Sequence, residues 1–223
     1  ELFEKTLGII GLGRIGGLVA TRMKAFGMKL VAYDPYISDE RFKRYSCEKA
    51  KTLDELMEKA DIITIHTPKT KETIDMINAE NIHKLKDGVR LVNAARGGLF
   101  NEEAVAEGLR NGKIASFGYD VHSVEPRSEC VLYEFDNVVT TPHIGATTYE
   151  AQRNVGTQVV KQVLNGLRGE IVETAVNLPA IGREEFLIVK PYINLAEKLG
   201  KIYFQIEKTP ITNVVLNYYG EIA

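Results

Sequence analysis

The hexad Gly11-Leu12-Gly13-Arg14-Ile15-Gly16 constrains this chain more than any other feature. It follows a short apolar run, Thr6 to Ile10. It opens a stretch, Arg14 to Ala25, in which Ile15, Leu18, Val19, Arg22 and Met23 recur at helical spacing. The first glycine permits a tight strand-to-helix turn, the second lets backbone approach a pyrophosphate, and the third lets the helix lie close on the strand. Free N–H groups and the positive dipole end of the helix then face the phosphates. Gly11, Gly13, Arg14, Ile15 and Gly16 are therefore candidate dinucleotide contacts. A second strand, Lys29 to Tyr33, ends at Asp34-Pro35. That is about 20 residues past the loop, where a carboxylate accepts hydrogen bonds from the adenosine ribose. The same charge repels a 2′-phosphate, so Asp34 favours NAD over NADP. A plain glycine turn with an incidental surface aspartate would account for the hexad alone, but not for its setting.

The rest of the chain extends this unit. Thr52-Leu53-Asp54-Glu55 is a capping box and starts a helix that runs to about Ala60. Strands are expected at Asp61 to His66, Val89 to Asn93, Ala115 to Tyr119 and Asn137 to Thr140. Helices are expected at Glu102 to Leu109 and, after a second capping box, Thr147 to Leu164. This alternation predicts an α/β fold, a Rossmann-type doubly wound parallel sheet with helices on both faces. Gly169 to Arg183, with Val176-Asn177-Leu178-Pro179, has little periodicity and reads as a linker. Phe186 to Phe204 has a helical pattern, and Thr212 to Tyr219 reads as a strand. One helix and one strand do not make a domain, so a carboxyl-terminal helix and a truncated α+β tail are expected. The first residue is Glu1 rather than Met, which reads as a chain processed or cut from something longer.

Composition excludes several classes. A net charge of −2 gives no electrostatic case for nucleic acid or a membrane surface as main partner. No apolar run is long enough to span a bilayer. Cys47 and Cys130 are far apart and form no CxxC pair. They read as free thiols in a reducing, cytoplasmic compartment, with no metal site and no disulfide framework.

Three further blocks start at the carboxyl ends of expected strands: Asn93-Ala94-Ala95-Arg96-Gly97-Gly98, Asp120-Val121-His122-Ser123-Val124-Glu125-Pro126, and Thr141-Pro142-His143-Ile144-Gly145-Ala146. In an open parallel sheet that edge is where ligands bind. An arginine, a carboxylate and a histidine thus converge on the dinucleotide cleft. Arginine offers a planar fork of donors to a substrate carboxylate. Histidine takes a hydroxyl proton as hydride leaves and returns it in the reverse direction. A carboxylate bonded to the imidazole orients it and favours its protonated form.

With these blocks the chain resembles the D-isomer-specific 2-hydroxyacid dehydrogenases. The lead-in from Glu1-Leu2 to Ile10, the glycine loop, the Ala-Arg-Gly-Gly block and the Thr-Pro-His-Ile-Gly-Ala block carry the resemblance, which runs to about Pro179. It implies that Arg96 binds substrate, that Glu125 partners the histidine and that His143 is the acid/base. It further implies that Asp120 holds the nicotinamide carboxamide, that Thr67-Pro68 and Ala94-Ala95 line the cofactor groove, and that Gly145-Ala146 flank the nicotinamide. The implied substrate is a small phosphorylated D-2-hydroxy acid, and the implied assembly a homodimer or homotetramer through the cofactor domain. Phe186 to Ala223 is similar to the opening of an extra domain in longer members. The expected organisation is an NAD-binding domain over 1–146, a long helix and linker over 147–181 returning toward a substrate domain, and an incomplete regulatory or substrate-binding domain over 182–223.

The chain departs from the family pattern in places. His122 and Ser123 stand where a bulky apolar and a variable residue are usual, Asn101 replaces an aspartate, and Glu4 replaces a glycine. Two other assignments stay open: a different member such as a glyoxylate or hydroxypyruvate reductase, and an NAD-sensing corepressor-like binding module. His66 either touches cofactor or caps the sheet. His83 and His122 read as surface or packing residues, and the lysines at 69, 71, 84 and 86 as solvated faces.

Overall fold

A computed structural model describes residues 1–170, 172, 175, 183–207, 215 and 217. The Val176 to Pro179 stretch of the expected linker lies outside the described residues. So does the expected strand from Thr212 to Tyr219, apart from Val215 and Asn217. The chain forms two units, residues 1–148 and 149–223.

In the first unit the strands are β1 (Thr6–Ile10), β2 (Lys29–Tyr33), β3 (Glu48–Lys49), β4 (Ile62–Ile65), β5 (Val89–Asn93), β6 (Ile114–Tyr119) and β7 (Val138–Thr140). They are all parallel, in the order β3-β2-β1-β4-β5-β6-β7. The helices are α1 (Arg14–Ala25), α2 (Asp39–Arg44), α3 (Leu53–Lys59) and α4 (Glu102–Arg110). The chain steps outward from β1 to β3 and then returns to lay β4 on the other side of β1. The strand order therefore reverses between β1 and β4, and a crevice opens at the carboxyl ends there.

Two core clusters lie on opposite faces of the sheet, the smaller reaching only the β1, β2 and β4 side, so that Val92 of β5 and Val139 of β7 stay exposed on that face. β1 sends Leu7 and Ile9 to a cluster with Ala20 of α1 and Phe42 of α2. It sends Ile10 to a cluster with Leu56 and Met57 of α3 and Val105 of α4. Each such buried side chain is worth about 1.5–3 kcal/mol. Gly8 lets α3 rest directly on β1, since a Cβ there would lie 2.8 Å from Ala60 Cβ. The Thr52 hydroxyl caps the helix by accepting from Glu55 N at 3.2 Å, while Glu55 Oε2 accepts from Lys51 N at 2.7 Å, one residue before the cap. Asn101, in place of the usual aspartate, still caps α4 by accepting from Ala104 N at 3.0 Å.

Two elements go beyond the sequence expectation. α2 is six residues long, five of them charged, and only Phe42 is buried; β3 has two residues. Neither carries enough periodicity to be read locally: α2 is held by Phe42 in the core cluster under β2, and β3 by its parallel pairing with β2.

Glu4 stands where the family favours glycine, and its φ is +61°. The left-handed region costs an L-residue about 1–2 kcal/mol. The Glu4 N–H donates to Gly27 O at 3.0 Å and holds the conformation in place. Glu4→Gly should therefore change stability little or raise it by up to about 1 kcal/mol, relief of strain being partly offset by greater freedom of the unfolded chain. Thermal or urea unfolding checks this, and clear destabilisation would refute it.

In the second unit, α5 (Tyr149–Leu167) ends where Glu170 N donates to Asn165 O at 2.8 Å and Gly169 takes a φ of +66°. α6 spans Arg183–Ile206, with Pro191 inside it, and extends the expected helix at both ends. No helix among the described residues is long and apolar enough to cross a membrane. Burial pushes the Cys47 thiol up to about 11, which keeps it protonated and unreactive at neutral pH.

Candidate active site

The glycine loop is shaped by what its glycines avoid. Gly11 has a φ of +87°, and a Cβ there would lie 3.0 Å from the His66 carbonyl oxygen. A Cβ on Gly16 would lie 2.1 Å from Gly11 O, so α1 can sit this close to β1 only through glycine. A Cβ on Gly13 would meet nothing within 4 Å. The turn and packing glycines are thus filled by protein, whereas the middle one faces open space, as a pyrophosphate cradle requires. Gly13 occupies the N-cap of α1 and supplies no side chain to the first turn. The first-turn N–H groups, including those of the exposed residues Arg14 and Ile15, lack intrahelical partners.

Asp34 serves the loop as well as any ligand. Its Oδ2 accepts from Leu12 N at 2.9 Å and its Oδ1 from Tyr36 N at 3.0 Å. A cavity of about 340 Å³ opens here, lined by Gly11, Gly13, Asp34, Tyr36, Thr67 and Pro68. The Thr67 hydroxyl is buried without a partner among the described residues. An unmet buried hydroxyl is costly and is the kind of group a bound cofactor can satisfy. The residues present therefore fit a dinucleotide. Sequence reasoning missed the far rim, where the Tyr36 hydroxyl meets the Glu72 carboxylate. The only signal for it was the position of Tyr36 two residues after Asp34.

Ala94 and Ala95 are not among the residues lining this cavity. Ala94 lines a second, apolar cavity with Val92 and His66, and Ala95 packs against the larger core cluster. His66 is satisfied by Thr64 Oγ1 at 3.1 Å, and burial pushes its titration down.

The three chemical blocks interlock at the strand ends. Asn93 Oδ1 accepts from Ala95 N at 3.0 Å and Asn93 Nδ2 donates to Arg96 O at 2.9 Å, which fixes the arginine loop. Arg96 is exposed, and among the described residues its guanidinium meets only Ala95 O, at 2.6 Å. Gly97 lies so close to the next block that a Cβ would fall 1.7 Å from His122 O. His143 has a φ of +59°, a strained conformation costing about 1–3 kcal/mol. Its Nδ1 lies 2.7 Å from Glu125 Oε2, and Glu125 Oε1 accepts from His122 N at 2.8 Å. The His143 bond, and after it the His122 N–H, hold the Glu125 carboxyl below the usual range. An anionic Glu125 accepts a hydrogen bond from Nδ1–H and leaves Nε2 to exchange a proton with a ligand.

Asp120 is nearly buried, and both of its oxygens face this loop. Oδ1 accepts from the Thr141 hydroxyl and from Ile144 N at 2.8 Å, and Oδ2 from Gly145 N at 2.7 Å. Burial works against its charge, but these three donors prevail and hold its carboxyl below the ordinary value. A Cβ on Gly145 would lie 2.9 Å from Asp120 Oδ2, which accounts for that glycine; Ala146 is exposed. The structure thus gives Asp120 a part in holding the His143 loop.

Comparison with known proteins places this geometry. Residues 1–145 match the model of the D-isomer specific 2-hydroxyacid dehydrogenase, NAD binding domain. Residues 188–223 match that of the D-3-phosphoglycerate dehydrogenase intervening domain. The chain is 47% identical over its whole length to D-3-phosphoglycerate dehydrogenase of Bacillus subtilis and 46% identical to that of Methanocaldococcus jannaschii. It spans 42% and 43% of those relatives. Among solved structures, the holo form of Rhodotorula graminis D-mandelate dehydrogenase aligns with a TM-score of 0.74 at 31% identity, over 79% of this chain and 52% of that one. D-lactate dehydrogenase with NAD+ from Lactobacillus jensenii aligns with a TM-score of 0.71 at 31% identity, over 80% and 57%.

Proposed function

Because the chain belongs to the D-isomer specific 2-hydroxyacid dehydrogenases, we propose that it serves NAD-dependent oxidation of 3-phosphoglycerate to 3-phosphohydroxypyruvate, the entry to serine synthesis. The observation that carries the chemistry is the 2.7 Å contact between His143 Nδ1 and Glu125 Oε2, at the sheet edge that also holds the dinucleotide loop. The substrate is supported by the names of the relatives and by the match over 188–223. The glycine loop and Asp34 would hold NAD, which would supply the acceptor for the hydride at substrate C2. Arg96 takes the substrate carboxylate in its planar fork. His143 Nε2 removes the C2 hydroxyl proton as the carbonyl forms, and Glu125 stabilises the imidazolium. In this reading residues 147–181 lead back toward a substrate domain, and 182–223 begin a further domain. Copies pair through the cofactor domain as a homodimer or homotetramer; a monomeric mass in solution would argue against that. The free thiols fit a cytoplasmic setting.

The deciding assay follows NADH oxidation by the intact protein with 3-phosphohydroxypyruvate, glyoxylate and hydroxypyruvate in parallel. Preference for the phosphorylated substrate supports the reading. Preference for glyoxylate would move the assignment within the family, and NADH binding without turnover of any of the three would favour a sensing module.

Asp34 sets the cofactor choice. Asp34→Ala removes the charge that repels a 2′-phosphate and also the acceptor for Leu12 N. NADH affinity should fall, and the NADH-over-NADPH preference should narrow by about tenfold, the equivalent of one lost charge-assisted interaction. Fluorescence titration with both nucleotides measures this, and an unchanged ratio would remove Asp34 from the ribose site.

A further inference from the structure

His122 meets all three blocks of the proposed catalytic set. Its carbonyl oxygen presses on Gly97, next to Arg96. Its backbone N–H donates to Glu125 Oε1 at 2.8 Å. Its ring Nε2 lies 3.2 Å from the carbonyl oxygen of Thr141, two residues before His143. The first two contacts use backbone, so any residue would supply them. The third needs a side-chain donor at that point.

Packing alone does not account for a histidine here. The residue is 8% exposed, and its ring stands edge-on to Tyr119 at 4.8 Å and to Tyr133 at 6.1 Å. A carbonyl only accepts, so Nε2 carries the proton and Nδ1 keeps a lone pair. That Nδ1 is buried and has no partner among the described residues. A phenyl ring would fill the same space without an orphaned polar atom. The histidine therefore accepts a cost at Nδ1 and gains one bond, to Thr141 O.

We propose that His122 is a positioning residue, whose Nε2–H holds the Thr141 carbonyl so that the turn through Pro142 delivers His143 to Glu125. The turn needs such a hold. Pro142 has no N–H to anchor it, and His143 sits in the left-handed region. On the near side, Thr141 N donates to Tyr119 O at 3.1 Å and the Thr141 hydroxyl meets Asp120. On the far side, Asp120 takes the N–H groups of Ile144 and Gly145. Between these anchors, among the described residues, only His122 and Glu125 grip the turn. His122 serves both partners of the pair, Glu125 through its backbone and His143 through its ring.

The proposal rests on His143 being the acid/base, but its test reads the imidazole rather than turnover. Nitrogen-15 spectra of histidine-labelled protein at alkaline pH, where imidazoles are neutral, report which ring nitrogen carries the proton. In the wild type the His143 signals should show the Nδ1–H form dominant, because Glu125 accepts there. His122→Phe and His122→Met lack a donor, and both should move the His143 signals toward the averaged values of a free imidazole. His122→Gln, as long as Met but with an amide donor, should restore them. Turnover should fall roughly fivefold in Phe and Met, the loss of one neutral hydrogen bond, with the KM for NADH unchanged, and recover in Gln. Unmoved His143 signals in the Phe and Met variants would overturn the proposal, since Asp120 alone would then suffice. Gln behaving like Met would overturn it too, by assigning the effect to ring bulk. Should the Phe variant fail to fold, the Met and Gln pair decides. A failure of the dehydrogenase reading looks different: no substrate is turned over while the His143 signals respond as described.

Discussion

Replacing His143 with alanine should leave NADH binding nearly unchanged and lower turnover by roughly 100- to 10,000-fold, the range a general acid–base group supplies. The separation of the two effects follows from the geometry. The dinucleotide cavity is lined by the glycine loop, Asp34, Thr67 and Pro68, and His143 is not among its lining residues. The histidine belongs to a different set: its Nδ1 is committed to Glu125, and its free nitrogen is the one group of the pair that can exchange a proton with a substrate. Glu125→Gln should cost less than His143→Ala. Its amide can still occupy the site, but it no longer provides the anion that stabilises a charged imidazole. Because Glu125 is held below the usual carboxylate range, its charge persists throughout the neutral range, and the pair needs no alkaline pH to be formed. NADH titration and steady-state rates on the same samples test this. Lost NADH binding with normal chemistry per bound cofactor would sink the role given to His143.

How much of this was legible in the sequence differs by element, for physical reasons. β1, α1, β2 and β5 fall at the expected residues, because each is bounded by glycine or a polar break and has clean periodicity. α2 and β3 were not legible, since the six mostly charged residues are held by a single buried Phe42 and the two-residue strand by its pairing with β2. At the site, His143 and Glu125 meet as expected from strand ends and resemblance. Ala94 and Ala95 follow β5 and are not among the residues lining the cavity with Gly11 and Asp34; Ala94 lines an apolar cavity and Ala95 packs on the larger core cluster. His122 read as a packing residue because its position is defined by contacts to three separate blocks. No local pattern encodes a bond between residues 19 apart in sequence, such as His122 to Thr141.

The glycine loop yields the second large effect, and its glycines should fail in different ways. Gly16→Ala places a methyl 2.1 Å from Gly11 O. Backbone lies on both sides of that contact, so no flexible side chain can yield. α1 must lift from β1, and overpacking of this kind costs about 1–3 kcal/mol or more. The variant should melt well below the wild type and bind no NADH, because the helix N-terminus moves with the helix. Gly13→Ala should behave otherwise. Its φ of −70° is negative and its Cβ meets no protein atom within 4 Å, while its ψ of −150° lies at the margin of the extended region. The fold should persist, with stability within about 1 kcal/mol of the wild type, the restricted unfolded chain offsetting slight strain. NADH affinity should nevertheless fall at least about tenfold, because the methyl occupies the space through which the pyrophosphate approaches. Melting curves and NADH fluorescence titrations on both variants separate the two roles. If Gly13→Ala bound NADH normally, the cofactor would not pass over Gly13. If Gly16→Ala folded and bound like the wild type, the close packing of α1 on β1 would not be what the third glycine is for.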